Sequence, residues 1–280
     1  MLPFAIYDVF SDIAYAGNQL AVVYDGTDLT TAQMQAIALE FNYSETVFVL
    51  PPARAESDYL ARIFTPAEEL PFAGHPTIGA ALAAVESGRV APNAGAVVQE
   101  CGAGLMTVAV GDGSAKLTST AISVGPELDR ARAAAAIGLD PEQIIGTPKN
   151  ASAGLDHNFV RVADEDVAAA VDVPGHLSKV YVFSFDAETH AVHARLFHRG
   201  VGEDPATGSA AVALGVHLVD QGLIEGDGVH RYEIAQGAEI DRPSRLSGEV
   251  VVEDGAPVSV SVTGSAVKVA EGTLLTLPGR

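Results

Sequence analysis

Short apolar runs, punctuated by Pro, Gly, Asn and Asp, alternate along this chain with stretches of helical periodicity. Residues 4–10 and 20–24 read as strands joined through Gly17 and Asn18. Thr30 opens a helix, because Gln33 three residues on completes a capping-box pattern. Met34, Ile37, Ala38 and Phe41 then fall at i, i+3, i+4 and i+7, one buried face of a helix expected to stop near Asn42. Residues 47–50 form a short buried strand closed by Pro51 and Pro52, and a strand over 59–64 leads to a Gly-His-Pro loop. Pro76 suits the first helical position, which makes His75 the expected N-cap. The helix carries Ile78, Ala81, Leu82 and Val85 inward and ends at Gly88. Further on, strands are expected over 158–163, 179–185 and 190–197, with helices over 128–137 and 164–171.

The loop-to-helix pattern occurs twice. Pro71, Gly74 and Gly88 match Pro205, Gly208 and Gly222, all 134 positions later (205 against 71). In the second copy Ser209 takes the cap position, where serine is strongly preferred, and Gly222 ends the helix. Ala61-Arg-Ile-Phe64 parallels Ala194-Arg-Leu-Phe197, and the strand–turn–strand stretch from Gly95 to Ala103 parallels that from Gly248 to Ala256. Three matched blocks in one order outweigh chance similarity between Gly- and Val-rich segments. A period this long indicates two similar lobes rather than a solenoid. Strands in antiparallel order around one long helix per lobe give an α+β architecture. Strand–helix alternation is too irregular for a doubly wound parallel sheet. The best boundary lies at residues 121–127, around Gly125-Pro126, giving an N-terminal lobe of 1–124 and a C-terminal lobe of 125–280.

A chain of 280 residues with 48% hydrophobic content can bury a large core. Its formal net charge of −20 repels phosphate backbones and acidic membranes, which disfavours nucleic-acid and membrane partners. A small anionic substrate is still compatible, because local donors in a cleft outweigh a screened surface field. The N-terminal residues lack the positive region of a signal peptide, apolar runs are too short for a membrane helix, and a cytoplasmic location is expected. A single cysteine, Cys101, excludes an intramolecular disulfide and multi-thiolate zinc; it reads as a small core or edge residue of a hairpin.

Candidate chemistry gathers on the two loops and on one carboxylate. If the halves face each other across a pseudo-twofold axis, both helix N-termini can point into one cleft. There they can hold a carboxylate or an enolate-like intermediate; the plainer alternative is two ordinary capped helices. Glu45, at the mouth of an apolar strand, suits a residue that takes and gives a proton if partial burial raises its pKa, against the alternative of a strand-end Glu in water. Asp204 either caps a turn or binds a substrate amine or hydroxyl. His75 is open between general acid, substrate donor and cap. Ser209 stands in Thr-Gly-Ser-Ala-Ala rather than a Gly-x-Ser-x-Gly elbow, a weak basis for a hydrolase. His190, His193 and His198 suggest a metal cluster, but 190 and 193 face opposite sides of a strand that lacks carboxylate or thiolate at ligand spacing, so none is expected.

These motifs have a known counterpart. Asp8-Val-Phe, Ala16-Gly-Asn18-Gln-Leu-Ala-Val-Val, Phe41-Asn-Tyr-Ser-Glu45-Thr, Phe64 through Gly74-His75-Pro-Thr, and Glu203-Asp204-Pro-Ala-Thr-Gly208-Ser209-Ala-Ala resemble the PhzF-like family, within the diaminopimelate-epimerase-like fold. Gln236-Gly, Arg242-Pro-Ser and Gly264-Ser-Ala-Val extend the resemblance toward the C-terminus. It implies two pseudo-symmetric lobes, each a curved, mostly antiparallel sheet wrapped around a central helix. The last strand is free to pack back on the first lobe, the active site lies between the lobes, and the protein is a homodimer. By the same resemblance Glu45 is the catalytic acid/base, and His75, Asp204 and Ser209 line the substrate site. Gly74 and Gly208 present backbone at the helix starts, and Asn18 lies on a loop near the cleft. The implied activity is an isomerase that shifts a proton in a dihydro-hydroxyanthranilate-like carboxylate, with no metal or organic cofactor. Relatives that racemise amino acids use two cysteines, which these loops lack. Ile240-Asp241 stands where Met-Gly is expected, and residues 197–202 also depart from the family pattern, both being positions expected to shape the pocket. The competing readings are a non-catalytic binding member of the family, which would be free to lose Glu45, and a hydrolase using Ser209.

Overall fold

Seventeen strands and five α-helices follow one another in the computed structural model, which describes residues 1–199 and 202–279. The chain divides into a first unit of residues 1–117 with 263–280, and a second of 118–262. The first holds β1 (Leu2–Val9), β2 (Asn18–Tyr24), α1 (Thr31–Phe41), β3 (Glu45–Leu50), β4 (Tyr59–Phe64), β5 (Glu69–Leu70), α2 (Gly74–Glu86), β6 (Ala96–Cys101), β7 (Gly104–Gly111) and most of β8 (Ser114–Ser119). The second holds β9 (Ser123–Glu127), α3 (Arg130–Ala136), β10 (Lys149–Ser152), β11 (Asp156–Arg161), α4 (Asp164–Ala169), β12 (Val180–Phe185), β13 (Ala191–His198), β14 (Gly202–Asp204), α5 (Gly208–Asp220), β15 (Gly228–Gln236) and β16 (Ser244–Glu253). The long β17 (Ala256–Leu274) begins in the second unit and passes at residue 263 into the first, where residues 266–274 pair antiparallel with β1.

The internal repeat extends to the pairing pattern. In the first unit β1–β2, β3–β4, β4–β5 and β6–β7 are antiparallel, while β2–β3 across α1 and β4–β6 across α2 are parallel. In the second, β10–β11, β12–β13, β13–β14 and β15–β16 are antiparallel, while β11–β12 across α4 and β13–β15 across α5 are parallel. Each unit is therefore mostly antiparallel, with two parallel steps, each bridged by a helix as parallel neighbours require.

Local sequence explains the helix ends. The capping box at Thr30 forms as its spacing predicts, and α1 stops on Asn42 in the left-handed region (φ 53°). Helices α2 and α5 end on the same Schellman motif. Gly88 N–H donates to Val85 O and Arg89 N–H to Ala84 O; Gly222 N–H donates to Val219 O and Leu223 N–H to Leu218 O. Gly88 and Gly222 each take the left-handed position, at φ 71° and 63°. The starts differ from expectation. Ala73 and Thr207, both extended, are the N-caps, so His75 and Ser209 each lie second in the helix. The side-chain-free Gly74 and Gly208 let the backbone turn helical earlier. Pro76 is tolerated third, where its missing N–H is still among the amides with no helical acceptor.

Both helices are also enclosed more completely than a single apolar face implies. Ala80, Ala81, Ala83 and Ala84 of α2 are all buried, as is every residue of α5 from Ala210 to Leu218. Small side chains permit this close wrapping. Where β15 and β16 pair, Tyr232 lies across Gly248, and a Cβ there would sit 2.0 Å from the ring. Gly248→Ala is therefore expected to cost about 1–3 kcal/mol through overpacking, measured by urea unfolding. The outer face of the first unit buries Met34, Ile37 and Ala38 of α1 against Val23, Phe48 and Phe64. The second buries Ala133, Ala134, Ile137 and Val167 against Val160, Val180 and Val182. Among the described residues no helix is long and apolar enough to cross a membrane.

Candidate active site

In the first unit, three of the residues singled out from the sequence come together. Glu45 is the first residue of β3, Asn18 the first of β2, and His75 the second of α2. Glu45 Oε2 lies 3.3 Å from His75 Nδ1, and Asn18 Nδ2 lies 3.4 Å from the same nitrogen. Ser44 Oγ donates to Asn18 Oδ1 at 3.5 Å. The Glu45 side chain is 17% exposed and that of His75 only 5%. Burial pulls the His75 pKa down to about 3, against a smaller opposing influence of the Gln19 backbone. The ring is therefore neutral at pH 7, and its 3.3 Å approach to Glu45 is a close polar contact rather than an ion pair. Its Nε2 is buried without a hydrogen-bond partner among the described residues, so the ring presents Nδ1 as the nitrogen that meets Glu45 and Asn18.

The second unit supplies a separate set. Asp204 ends β14, and its Oδ2 accepts from Thr207 Oγ1 at 2.5 Å. Gln236, at the end of β15, donates from Nε2 to the Asp204 carbonyl (2.8 Å) and to Thr207 Oγ1 (3.1 Å). Ser209 Oγ lies 3.0 Å from Nε2 of His157, on β11. Asp204 thus bonds within its turn, as the plainer reading expected, while Ser209 takes a side-chain partner instead of capping. Neither His157 nor Thr207 was evident from the sequence. Position 157 carries no motif, and Thr207 is the counterpart of an alanine.

At both helix starts, backbone donors lie ahead of the first intrahelical bond. The first intrahelical bonds are Thr77 N–H to Ala73 O and Ala211 N–H to Thr207 O. The amides of Gly74 and His75, and of Gly208, Ser209 and Ala210, precede them and have no helical acceptor. Neither first turn carries an acidic side chain to offset the positive end of the dipole.

The two units have diverged asymmetrically. Glu45 forms the first parallel pair of β2–β3, with Leu20; the first pair of β11–β12 is Asn158 with Val180. The repeat aligns Phe64 with Phe197, whose strand partners are Thr46 and Val180, so the repeat equivalent of Glu45 is Lys179, a lysine where the first unit has a carboxylate.

The histidines at 190, 193 and 198 do not converge. His190 Nδ1 donates to Arg231 O, whereas His193 stands between Asp164 (Nδ1 to Oδ1, 3.1 Å) and Glu239 (Nε2 to Oε1, 2.7 Å). Carboxylates absent from the local sequence are thus supplied from distant segments. Among the described residues no group of three His, Cys, Asp or Glu side chains is placed to hold a metal ion. Asp241 adopts φ 57°, the left-handed region, where the resemblance leads one to expect glycine. Aspartate tolerates that region better than most residues, so the departure preserves the turn. Of the other departing stretch, Gly200 and Val201 lie outside the described residues.

Comparison with known proteins decides the lineage. A family model described as "Phenazine biosynthesis-like protein" matches residues 7–272. The chain belongs to the PhzF-like family. Members similar to it include an uncharacterized isomerase, mll1393, of Mesorhizobium japonicum, 38% identical with 97% of this chain and 98% of the relative covered. The trans-2,3-dihydro-3-hydroxyanthranilate isomerase of Pseudomonas fluorescens is 35% identical, covering 97% and 99%. A Bacillus anthracis structure of the PhzF family superposes with a TM-score of 0.87 at 25% identity, covering 98% and 99%. A probable proline racemase from Agrobacterium radiobacter K84, 15% identical over 98% and 93% of the two chains, has a TM-score of 0.67 and shares the fold alone. The PhzF-like chain thus has the α+β, diaminopimelate-epimerase-like fold.

Buried neutral histidines give this PhzF-like protein a defined acid response. His75 and His157 have pKa values pulled down to about 3, and His217 to about 4, in each case mainly by desolvation. In the unfolded chain each titrates near 6.5. Between these values the unfolded state binds more protons, so stability is fully present above pH ~6.5 and falls as pH drops toward 4. The slope is on the order of 1 kcal/mol per pH unit for each histidine. Urea midpoints measured from pH 7 to 4 should decline through that window; a flat series would contradict the burial of these rings as neutral groups.

Proposed function

We propose that this isomerase moves a proton between carbon atoms of a small carboxylate-bearing metabolite, with Glu45 as the single acid/base and no cofactor. The observation that carries this reading is the contact between the mostly buried Glu45 carboxylate and the neutral His75. A group that must both release and recover a proton needs a neighbour compatible with both of its states. His75 Nδ1, a nitrogen of a neutral ring 3.3 Å from Glu45 Oε2, is such a neighbour because it carries no charge that would favour either state, and Asn18 Nδ2 lies 3.4 Å from the same nitrogen. The lysine at the repeat-equivalent position, Lys179, leaves one carboxylate rather than a pair of opposed carboxylates. A proton shift within one molecule needs only one.

Asp204, held as an acceptor by Thr207, suits a substrate amine or hydroxyl. The first-turn amides at Gly74 and Gly208, which have no helical acceptor, suit a carboxylate together with Ser209. The groups of both units are proposed to act on the same substrate. The compound named for the Pseudomonas fluorescens relative, trans-2,3-dihydro-3-hydroxyanthranilate, carries all three functions and is the first substrate to test. Proton NMR of that compound in D₂O with the enzyme should show isomerisation or deuterium incorporation at carbon. A ligand that binds without either would support the binding-only alternative instead.

A further inference from the structure

His157 lies in β11, 52 positions before Ser209 in sequence, and is 3% exposed. Its Nε2 is 3.0 Å from Ser209 Oγ, while its buried Nδ1 has no hydrogen-bond partner among the described residues. A neutral imidazole carries one N–H. Placed on Nδ1, that hydrogen would be a buried donor with nothing to bond, the rarer and costlier kind of orphan; placed on Nε2, it leaves only an unused lone pair. Nε2–H therefore donates to Ser209 Oγ, and the serine's own hydrogen is directed away from His157. Burial, with Lys179 and His198 as smaller like-signed influences, keeps the ring neutral.

We propose that His157 is a positioning residue, fixing the Ser209 hydroxyl as a hydrogen-bond donor toward the anionic group of the substrate. The inference rests on the functional reading above. The Ser209 hydroxyl and the first-turn amides of Gly208, Ser209 and Ala210, which have no helical acceptor, then form an all-donor end to α5, suited to a carboxylate and unsuited to a carboxamide. The same polarity is the reverse of what a serine nucleophile requires. There Nε2 must accept the hydroxyl proton and Nδ1–H must be held by a third group, and here Nδ1 has no such group among the described residues.

Two measurements on the full-length protein test this. Long-range proton–nitrogen NMR of uniformly ¹⁵N-labelled protein, with His157 assigned by its loss in His157→Gln, should show a neutral Nε2–H tautomer from pH 7 to 5. An Nδ1–H tautomer or an imidazolium would overturn the proposal. In turnover of trans-2,3-dihydro-3-hydroxyanthranilate, His157→Leu should raise KM by about 10-fold with kcat little changed, the loss expected for one misdirected hydrogen bond to a charged group. His157→Gln, whose side-chain amide can still donate at the Nε2 position, should restore most of the affinity. Equal KM in a folded His157→Leu protein would overturn the proposal. If that variant fails to fold, or if wild type does not turn over this compound, the wild-type tautomer decides the assignment. Failure of the His157 reading is thus distinguishable from failure of the isomerase reading.

Discussion

Glu45→Gln is expected to abolish proton transfer, with a loss exceeding roughly 100-fold in kcat, while leaving the fold and ligand binding in place. Glutamine matches the shape of glutamate and keeps an oxygen beside His75 Nδ1, so the first residue of β3 stays packed as it is. What it lacks is a proton it can exchange. Wild type and variant compared side by side in D₂O, with trans-2,3-dihydro-3-hydroxyanthranilate, should show deuterium incorporation at carbon with wild type only. Unchanged turnover in the variant would remove Glu45 from the mechanism. Lys179 occupies the equivalent position of the second unit, so the repeat holds no carboxylate there that could substitute.

Arg195→Met is expected to destabilise the second unit by about 3–5 kcal/mol, the range for breaking one partner out of a buried ion pair. Arg195, 8% exposed, makes a two-pronged bond to Glu203, Nε to Oε1 at 2.8 Å and Nη2 to Oε2 at 2.7 Å. Its remaining nitrogen, Nη1, donates to the carbonyls of Val167, Ala168 and Ala170 at the end of α4, at 3.3, 3.1 and 2.6 Å. Methionine fills the volume but strands the Glu203 charge, which is only 13% exposed, and removes the Arg195 donor from three carbonyls, of which Val167 O keeps the Ala170 N–H. Lysine should not rescue fully, because a single ammonium cannot reproduce the planar fork. Urea unfolding measures the loss, and a cost below about 1 kcal/mol would show that the pair adds little. Glu203 precedes Asp204 directly, so a destabilised β14 should also lower activity in parallel with stability.

The legible parts of this chain are those encoded by near neighbours. Thr30 and Gln33 are three residues apart, and the capping box formed where their spacing put it. Gly88 and Gly222 mark the left-handed exits of two helices because few other residues take that conformation at low cost. The repeat was visible for the same reason: paired glycines and prolines fix local backbone, and two copies of one backbone make similar local sequences. The helix starts were misread by two residues, since Pro76 is acceptable anywhere in the first turn and Gly74 allowed an earlier entry.

Glu45 drew attention as a carboxylate beside an apolar strand, and the family motif gave it a role. Its contact with His75, 30 positions away, follows from β2 and β3 pairing beside the start of α2. His157 had no local signal at all, because its partner is a helix 52 positions further on. The carboxylates flanking His193 also come from elsewhere in the chain, one from α4 and one from the turn at 238–240. Sequence alone determined the elements, the duplication and the chemical types available, all of which depend on interactions within a few residues. Tertiary structure decided which histidine meets which carboxylate or hydroxyl, and so which rings stay neutral, because desolvation and hydrogen-bond partnership depend on atoms brought together by folding.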